Sequence, residues 1–143
     1  MPLTDKIITD QKILHQISRD TTLAEVKSKC LIGRLRIMNK RGWTEGAGLS
    51  AIQIGVPLRV AFISLDGHEE ILINPSIISE KIEYVSEEGC LSIPYNIAKV
   101  KRFKKIKYIS NGKIKKAKGF LACVIQHETD HMNGILNIDK EIL

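Results

Sequence analysis

The chain has 143 residues, 43% apolar and 27% charged, with a formal net charge of +6. That length suits one domain, 1–143, with a core that needs no cross-links, and the composition is that of a folded protein rather than a disordered one. No run approaches the about 20 apolar residues that cross a bilayer, nothing reads as a leader peptide, and three cysteines (Cys30, Cys90, Cys123) are too few and too odd for a disulfide framework, so a reducing cytosol is the expected setting.

In chain order, the first predicted element is a helix from Thr22 to Lys40. Thr22 and Glu25 have capping-box spacing. Val26, Leu31, Leu35 and Met38 recur near a helical period, and Gly42 would end the helix. Short strands follow at residues 59–63, 70–73 and 77–85, bounded by Asp66-Gly67 and Asn74-Pro75. Residues 104–109 alternate imperfectly and lead into Asn111-Gly112, a strong hairpin signal. Between Lys99 and Lys118 stand ten basic residues (Lys99, Lys101, Arg102, Lys104, Lys105, Lys107, Lys113, Lys115, Lys116, Lys118) and no acidic one. The plain reading is a solvated hairpin face; the sharper one is attraction to a polyanion. A last helix is predicted from Phe120 to Asn133, stopped by Gly134. The order of elements gives an α+β class, with a mainly antiparallel sheet around that last helix.

The last helix carries His127-Glu128-Thr129-Asp130-His131. Histidines four apart lie one turn above each other on one helix face, so both can reach one divalent ion, with Glu128 close enough to serve a bound water. The plain alternative, a solvated helix with two surface histidines, is weakened by the apolar Phe120–Ile125 stretch. A buried helix leaves polar side chains in need of partners, and a metal is one. A third protein ligand is required for a tetrahedral site with an open position. Only Asp139 and Glu141 are acids after His131. Upstream, Cys90 is the best candidate, bracketed by Gly89 and Pro94 in a shaped loop; as an isolated residue it reads first as a small buried apolar group.

Three segments together carry a resemblance. Gly46-Ala47-Gly48-Leu49-Ser50-Ala51-Ile52-Gln53-Ile54-Gly55, Glu88-Gly89-Cys90-Leu91-Ser92 and Gln126-His127-Glu128-Thr129-Asp130-His131 resemble, in order and separation, the three motifs of the peptide deformylase family. The resemblance implies removal of the formyl group from the N-terminal formylmethionine of nascent polypeptides. It implies Cys90, His127 and His131 as metal ligands, with water as the fourth. Glu128 would be the general base and then proton donor, and Gln53 with the Leu91 backbone N–H would face the developing oxyanion. Gly48, with Gly46, would let substrate backbone approach. The metal implied is Fe²⁺, with Ni²⁺, Co²⁺ or Zn²⁺ able to substitute. Phe120, Cys123 and Val124 share a face with His127 and are candidates for the methionine pocket, or ordinary core.

Departures are few. Ser50 replaces a usual Ala, Tyr95 follows Pro94, and Ile97 stands where some bacterial members have an Arg that helps bind substrate. Arg102 is placed to pair with Glu88. The long C-terminal helix that many bacterial members use for ribosome contact is not recognisable, as in short forms encoded by some phages. The expected setting is therefore a bacterial cytosol, phage-encoded or not, and the expected state a monomer. The basic stretch 99–118 is a candidate substitute contact with ribosomal RNA. The rival readings are an H-E-x-x-H metallopeptidase, separated by its third ligand, a catalytically dead relative, and an RNA-binding module.

Overall fold

The computed structural model describes residues 5–44 and 46–142. Its elements run α1 (Gln11–Leu14), α2 (Leu23–Ser28), α3 (Leu31–Asn39), β1 (Gly48–Ser50), a 3₁₀ turn (Ala51–Ile54), β2 (Val60–Leu65), β3 (His68–Ile73), β4 (Ser76–Cys90), β5 (Ile93–Ser110), β6 (Lys113–Lys118), α4 (Gly119–Met132) and a final 3₁₀ turn (Asn137–Lys140). The α+β class holds. The strands form two antiparallel three-stranded sheets, β1-β2-β3 and β4-β5-β6.

The long helix expected over Thr22–Lys40 is two helices, broken where Cys30 takes a left-handed conformation (φ 55°). The apolar spacing explains the break. Val26 and Leu31, five residues apart, would sit about 140° apart on a continuous helix. The kink brings both into one core cluster with Leu35 and Met38. Thr22 does cap α2, its hydroxyl accepting from Glu25 N at 3.1 Å. The box is not closed, because the Glu25 carboxylate turns to Arg19 and Thr21. α3 ends at Asn39, before Gly42.

Strand alternation builds the core. On β2, Val60 and Phe62 join the cluster with α2 and α3, while Ala61 and Ile63 point the other way. There they meet Ile106 and Tyr108 of β5 and Ala122, Ile125 and Met132 of α4. α4 is thus enclosed, and everything from Ala122 to Thr129 is buried. Gln126 pins it to β5, accepting from Phe103 N at 3.0 Å and donating to Phe103 O at 2.8 Å.

The hairpin through Asn111-Gly112 forms, with positive φ at both residues as its turn requires. Arg102 departs from the expected wet face. It is 2% exposed and lies inside the molecule. β4 and β5 also run much further than the strand-like residues at 77–85 and 104–109 suggest. Cys90 closes β4 and Leu91-Ser92 is a two-residue turn into β5, in place of the shaped loop expected there.

Candidate metal centre

Three ligand atoms converge where the end of β4 meets α4. His127 Nε2 and His131 Nε2 are 3.1 Å apart, and Cys90 Sγ is 3.4 Å from His131 Nε2. All three residues are buried. Between ligands of a tetrahedral ion with bonds near 2.1 Å to nitrogen and 2.3 Å to sulfur about 3.3–3.6 Å is expected; the sulfur–nitrogen separation falls in that range and the nitrogen–nitrogen one is slightly shorter. Two imidazole lone pairs and a thiol facing one another, away from water, are poorly satisfied by each other. A divalent cation satisfies all three, and an N₂S donor set suits zinc, iron, cobalt or nickel. Neither acid after α4 belongs to the cluster, and Asp139 instead bonds His15 Nε2 at 2.9 Å.

The His127 ring orientation is set from behind, whereas His131 Nδ1 is buried without a hydrogen-bond partner among the described residues. His127 Nδ1 lies 2.9 Å from Glu88 Oε1, which makes Nδ1 the protonated nitrogen and leaves Nε2 for the ion. Glu88 is gripped by Arg102 through Nε and Nη2, both at 2.9 Å. Arg102 also donates to Asp130 Oδ2 at 2.6 Å, and Lys140 reaches the same oxygen at 3.0 Å. Burial alone would raise the Glu88 carboxyl, but His127 and Arg102 outweigh it and hold its pKa at about 2. Asn137 fixes the strand itself, donating to Glu88 O at 3.1 Å. The Arg102–Glu88 pairing expected from sequence is therefore present. Asp130, from the same motif, belongs to this supporting network.

Glu128 faces the cavity in front of the ligand cluster. Its Oε1 accepts from Ser50 Oγ at 2.9 Å, and the same hydroxyl lies 3.0 Å from Glu128 O. Burial pushes its pKa above the usual 4.5, opposed by the charge of His127 and the Ser50 bond. Gln53 is oriented in the same economical way. Its Oε1 accepts from Ser50 N at 2.9 Å, which turns Nε2 toward Ser92 Oγ (3.1 Å) and Cys90 Sγ (3.6 Å). Ser50, a small departure in sequence, thus positions both residues.

A cavity of about 370 Å³ opens over this cluster, lined by Gly46, Gly48, Gln53, Cys90, Leu91 and Glu128 at its floor. Phe120, Cys123 and Val124 all line it, with Phe120 half-exposed at the mouth. Burial raises the Cys123 thiol, whose neighbour is the Tyr84 hydroxyl. Gly48 has a further constraint: a Cβ there would lie 2.9 Å from Glu128 Oε2. Gly46 is held by Asn39, which donates to Gly46 O at 2.8 Å. Trp43 lines the mouth and donates from Nε1 to Cys90 O at 3.1 Å. Trp43, Asn39 and Asn137 were not among the sequence candidates. Trp43 and Asn137 act on backbone carbonyls distant in sequence, and Asn39 reaches across the loop after α3 to Gly46.

Residues 4–142 match the family model described as polypeptide deformylase. The chain belongs to the polypeptide deformylase family. It is 38% identical to a peptide deformylase of Helicobacter pylori (strain Shi470), an alignment covering 98% of this chain and 86% of the relative. Its fold overlays that of the peptide deformylase from Thermotoga maritima with a TM-score of 0.88, at 29% identity, covering 99% of this chain and 100% of that one. The Legionella pneumophila peptide deformylase gives 0.85, at 32% identity, covering 98% and 87%. The family consists of metal-dependent hydrolases that remove N-formyl groups, and this chain carries that catalytic fold over nearly its whole length.

Proposed function

We propose that this chain hydrolyses the N-formyl group of formylmethionyl nascent peptides, releasing formate, with Cys90, His127 and His131 as the metal ligands. The observation that carries the reading is the convergence of those three side chains beside Glu128, in a cavity that Gln53 also lines, its Nε2 close to Cys90 Sγ. A divalent ion held there supplies a Lewis acid and lowers the pKa of water bound beside it. Fe²⁺ is the proposed native ion, with Ni²⁺, Co²⁺ or Zn²⁺ as substitutes.

The residues divide the remaining work. Ser50 occupies Glu128 Oε1, so Oε2, on the Gly48 side, is the atom that takes the proton from the attacking water. The water oxygen adds to the formyl carbon, and the former carbonyl oxygen gathers negative charge. One Nε2 hydrogen of Gln53 goes to Ser92 and the other lies on the Cys90 Sγ side; that second hydrogen, with the Leu91 N–H, turns to the oxygen as its charge develops. Each such donor is worth about 3 kcal/mol in a water-poor site. Glu128 then passes its proton to the leaving amine nitrogen as the C–N bond breaks. Phe120, Cys123 and Val124 hold the methionine side chain. Gly46 and Gly48 form the wall along which the peptide backbone lies.

The basic hairpin is the proposed contact with ribosomal RNA. Arg102 is excluded by burial, Lys101 pairs with Glu83 and Lys115 with Glu70, and Lys104 sits over the Tyr84 ring. Lys105, Lys107, Lys116 and Lys118 enter no ion pair among the described residues. They stand opposite one another, Lys105 with Lys118 and Lys107 with Lys116, and Lys81 extends the first row. Like charges placed directly across strands destabilise a sheet unless an anion lies over them. We place the enzyme in a bacterial cytosol, as a monomer of one catalytic domain.

The deciding experiment is formate release from a formyl-Met peptide, with protein purified without oxygen and reconstituted with Fe²⁺ or Ni²⁺. Release that requires metal and disappears in Glu128→Ala is the expected result. Metal binding without formate would overturn the reading.

A further inference from the structure

The peptide unit between Cys90 and Leu91 serves two roles at once. Its carbonyl belongs to a metal ligand, and its N–H is one of the two donors assigned to the oxyanion. It sits where the strand backbone is least constrained. Cys90 ends β4, and its pairing with Ile93 is the last rung of the β4–β5 ladder, set off from the Gly89–Ile97 rung by a register shift. An irregular rung beside a glycine fixes a peptide plane poorly. The plane is held from outside the sheet instead. Trp43 Nε1 donates to Cys90 O at 3.1 Å. Tyr95 supports the indole, with ring centroids 5.5 Å apart, and Gly89 leaves it room, since a Cβ there would lie 3.3 Å from the indole carbons. The other half of the unit is gripped through the Leu91 side chain. Leu91 is buried, and Gly42 and Gly46 lie so close to its methyl groups that a Cβ on either would overlap them. Asn39 ties this loop to α3 through two bonds with Gly46, one from its side chain and one to its backbone carbonyl.

We propose that Trp43 is a positioning residue for the reaction: by donating to the Cys90 carbonyl, it orients and strengthens the Leu91 N–H as an oxyanion donor. The proposal rests on the deformylase reading and on the oxyanion role of that N–H. The C=O and N–H of one trans peptide are coplanar, so a bond that orients the carbonyl also orients the N–H. The two ends are electronically joined as well. A donor on the oxygen draws electron density through the amide and makes the N–H a stronger donor, as in any chain of hydrogen-bonded amides. The benefit grows with the charge on the oxygen that the N–H faces. It is therefore larger in the transition state than in the bound substrate.

Trp43 is the chain's single tryptophan, so a tryptophan analogue supplied during expression replaces it alone. The test uses the analogue with sulfur in place of the indole N–H, which keeps the shape and the stacking and loses only the donor. On the metal-loaded enzyme with a formyl-Met peptide, kcat should fall about tenfold, short of the about hundredfold lost when an oxyanion donor is removed outright. KM and metal content should stay within about twofold, the pattern of an interaction made only in the transition state. Trp43→Phe should behave in the same way, and 5-fluorotryptophan, which retains the N–H, should restore kcat. A second readout needs no turnover. Carbonyl-¹³C cysteine combined with ¹⁵N leucine marks two peptide units, Cys90–Leu91 and Cys30–Leu31. In zinc-loaded protein the sulfur analogue should move the Leu91 ¹⁵N signal upfield and leave that of Leu31, at the start of α3, in place. An unchanged kcat with the sulfur analogue, a loss confined to KM, or a Leu91 signal that does not move overturns the positioning role and leaves the deformylase reading standing. If the unsubstituted enzyme releases no formate, the deformylase reading falls and the role of Trp43 falls with it.

Discussion

Glu128 Oε2 occupies the space in which a side chain at residue 48 would begin. A Cβ on Gly48 would stand 2.9 Å from that oxygen and 3.1 Å from Glu128 Cγ. The glycine of the first motif and the glutamate of the third are therefore one fitted unit, separated by eighty positions. Glu128 cannot yield easily, because Ser50 holds its other oxygen. Gly48→Ala should displace the carboxylate while leaving Cys90, His127 and His131 untouched. Formate release should fall about a hundredfold, the usual worth of a positioned general base, with metal content by elemental analysis unchanged. Full activity in the alanine variant would show that the carboxylate has room elsewhere.

Glu88→Gln tests the support behind the ligands. Its carboxylate accepts from His127 and forms a two-pronged pair with Arg102. The amide keeps an acceptor for His127 but leaves the buried Arg102 with Asp130 as its main counter-charge. Metal affinity, measured by chelator competition, should weaken about 10–100-fold. Urea unfolding should show a loss of about 3 kcal/mol, the cost of breaking a buried charge pair from one side. Arg102→Met should lower metal affinity as well, since it frees Glu88 to move. An unchanged affinity in both variants would mean that His127 is oriented by α4 alone.

The same residues explain how far the sequence could be read. The convergence of His127 and His131, with Glu128 beside them, was legible because spacing on a helix translates directly into geometry, whereas Cys90 and Gln53 stood out only through the resemblance of their segments to the family's motifs. The strands that deliver Cys90 were not legible, because their buried face carries Ser86 and Glu88 on β4 and Arg102 on β5. A hydrophobic alternation is interrupted wherever a buried polar network stands in for apolar packing, so β4 and β5 looked short. The helix break at Cys30 was legible only in hindsight, as a five-residue step between Val26 and Leu31. Trp43 and Asn39 hold backbone carbonyls of Cys90 and Gly46, and no local pattern signals that.

The lysine rows predict a steep dependence on salt. With four phosphates engaged by Lys105, Lys107, Lys116 and Lys118, the log–log slope of ribosome binding against salt should be about −3. Changing all four to Glu should abolish co-sedimentation at low salt. Formate release from a short peptide should be unaffected, since the rows lie on β5 and β6 away from the cavity mouth. Co-sedimentation that persists in the variant would remove the hairpin from the interface.

Acid sensitivity should trace in part to Glu70, far from the metal centre. Burial works to raise its carboxyl, but the Tyr108 hydroxyl at 2.7 Å, His68, and the charge and hydrogen bond of Lys115 lower it further below 4.5. A folded-state pKa below the unfolded one stabilises the protein above the unfolded value, and that stability is lost as pH falls through the folded one. Urea midpoints should therefore drop as pH falls below the ordinary 4.5. In Glu70→Gln, which keeps an acceptor for Tyr108 but cannot titrate, the decline should be shallower, although the variant starts from a lower midpoint at neutral pH. The same acid slope in both proteins would mean that Tyr108 and Lys115 do not favour the ionised form of Glu70 over the protonated one.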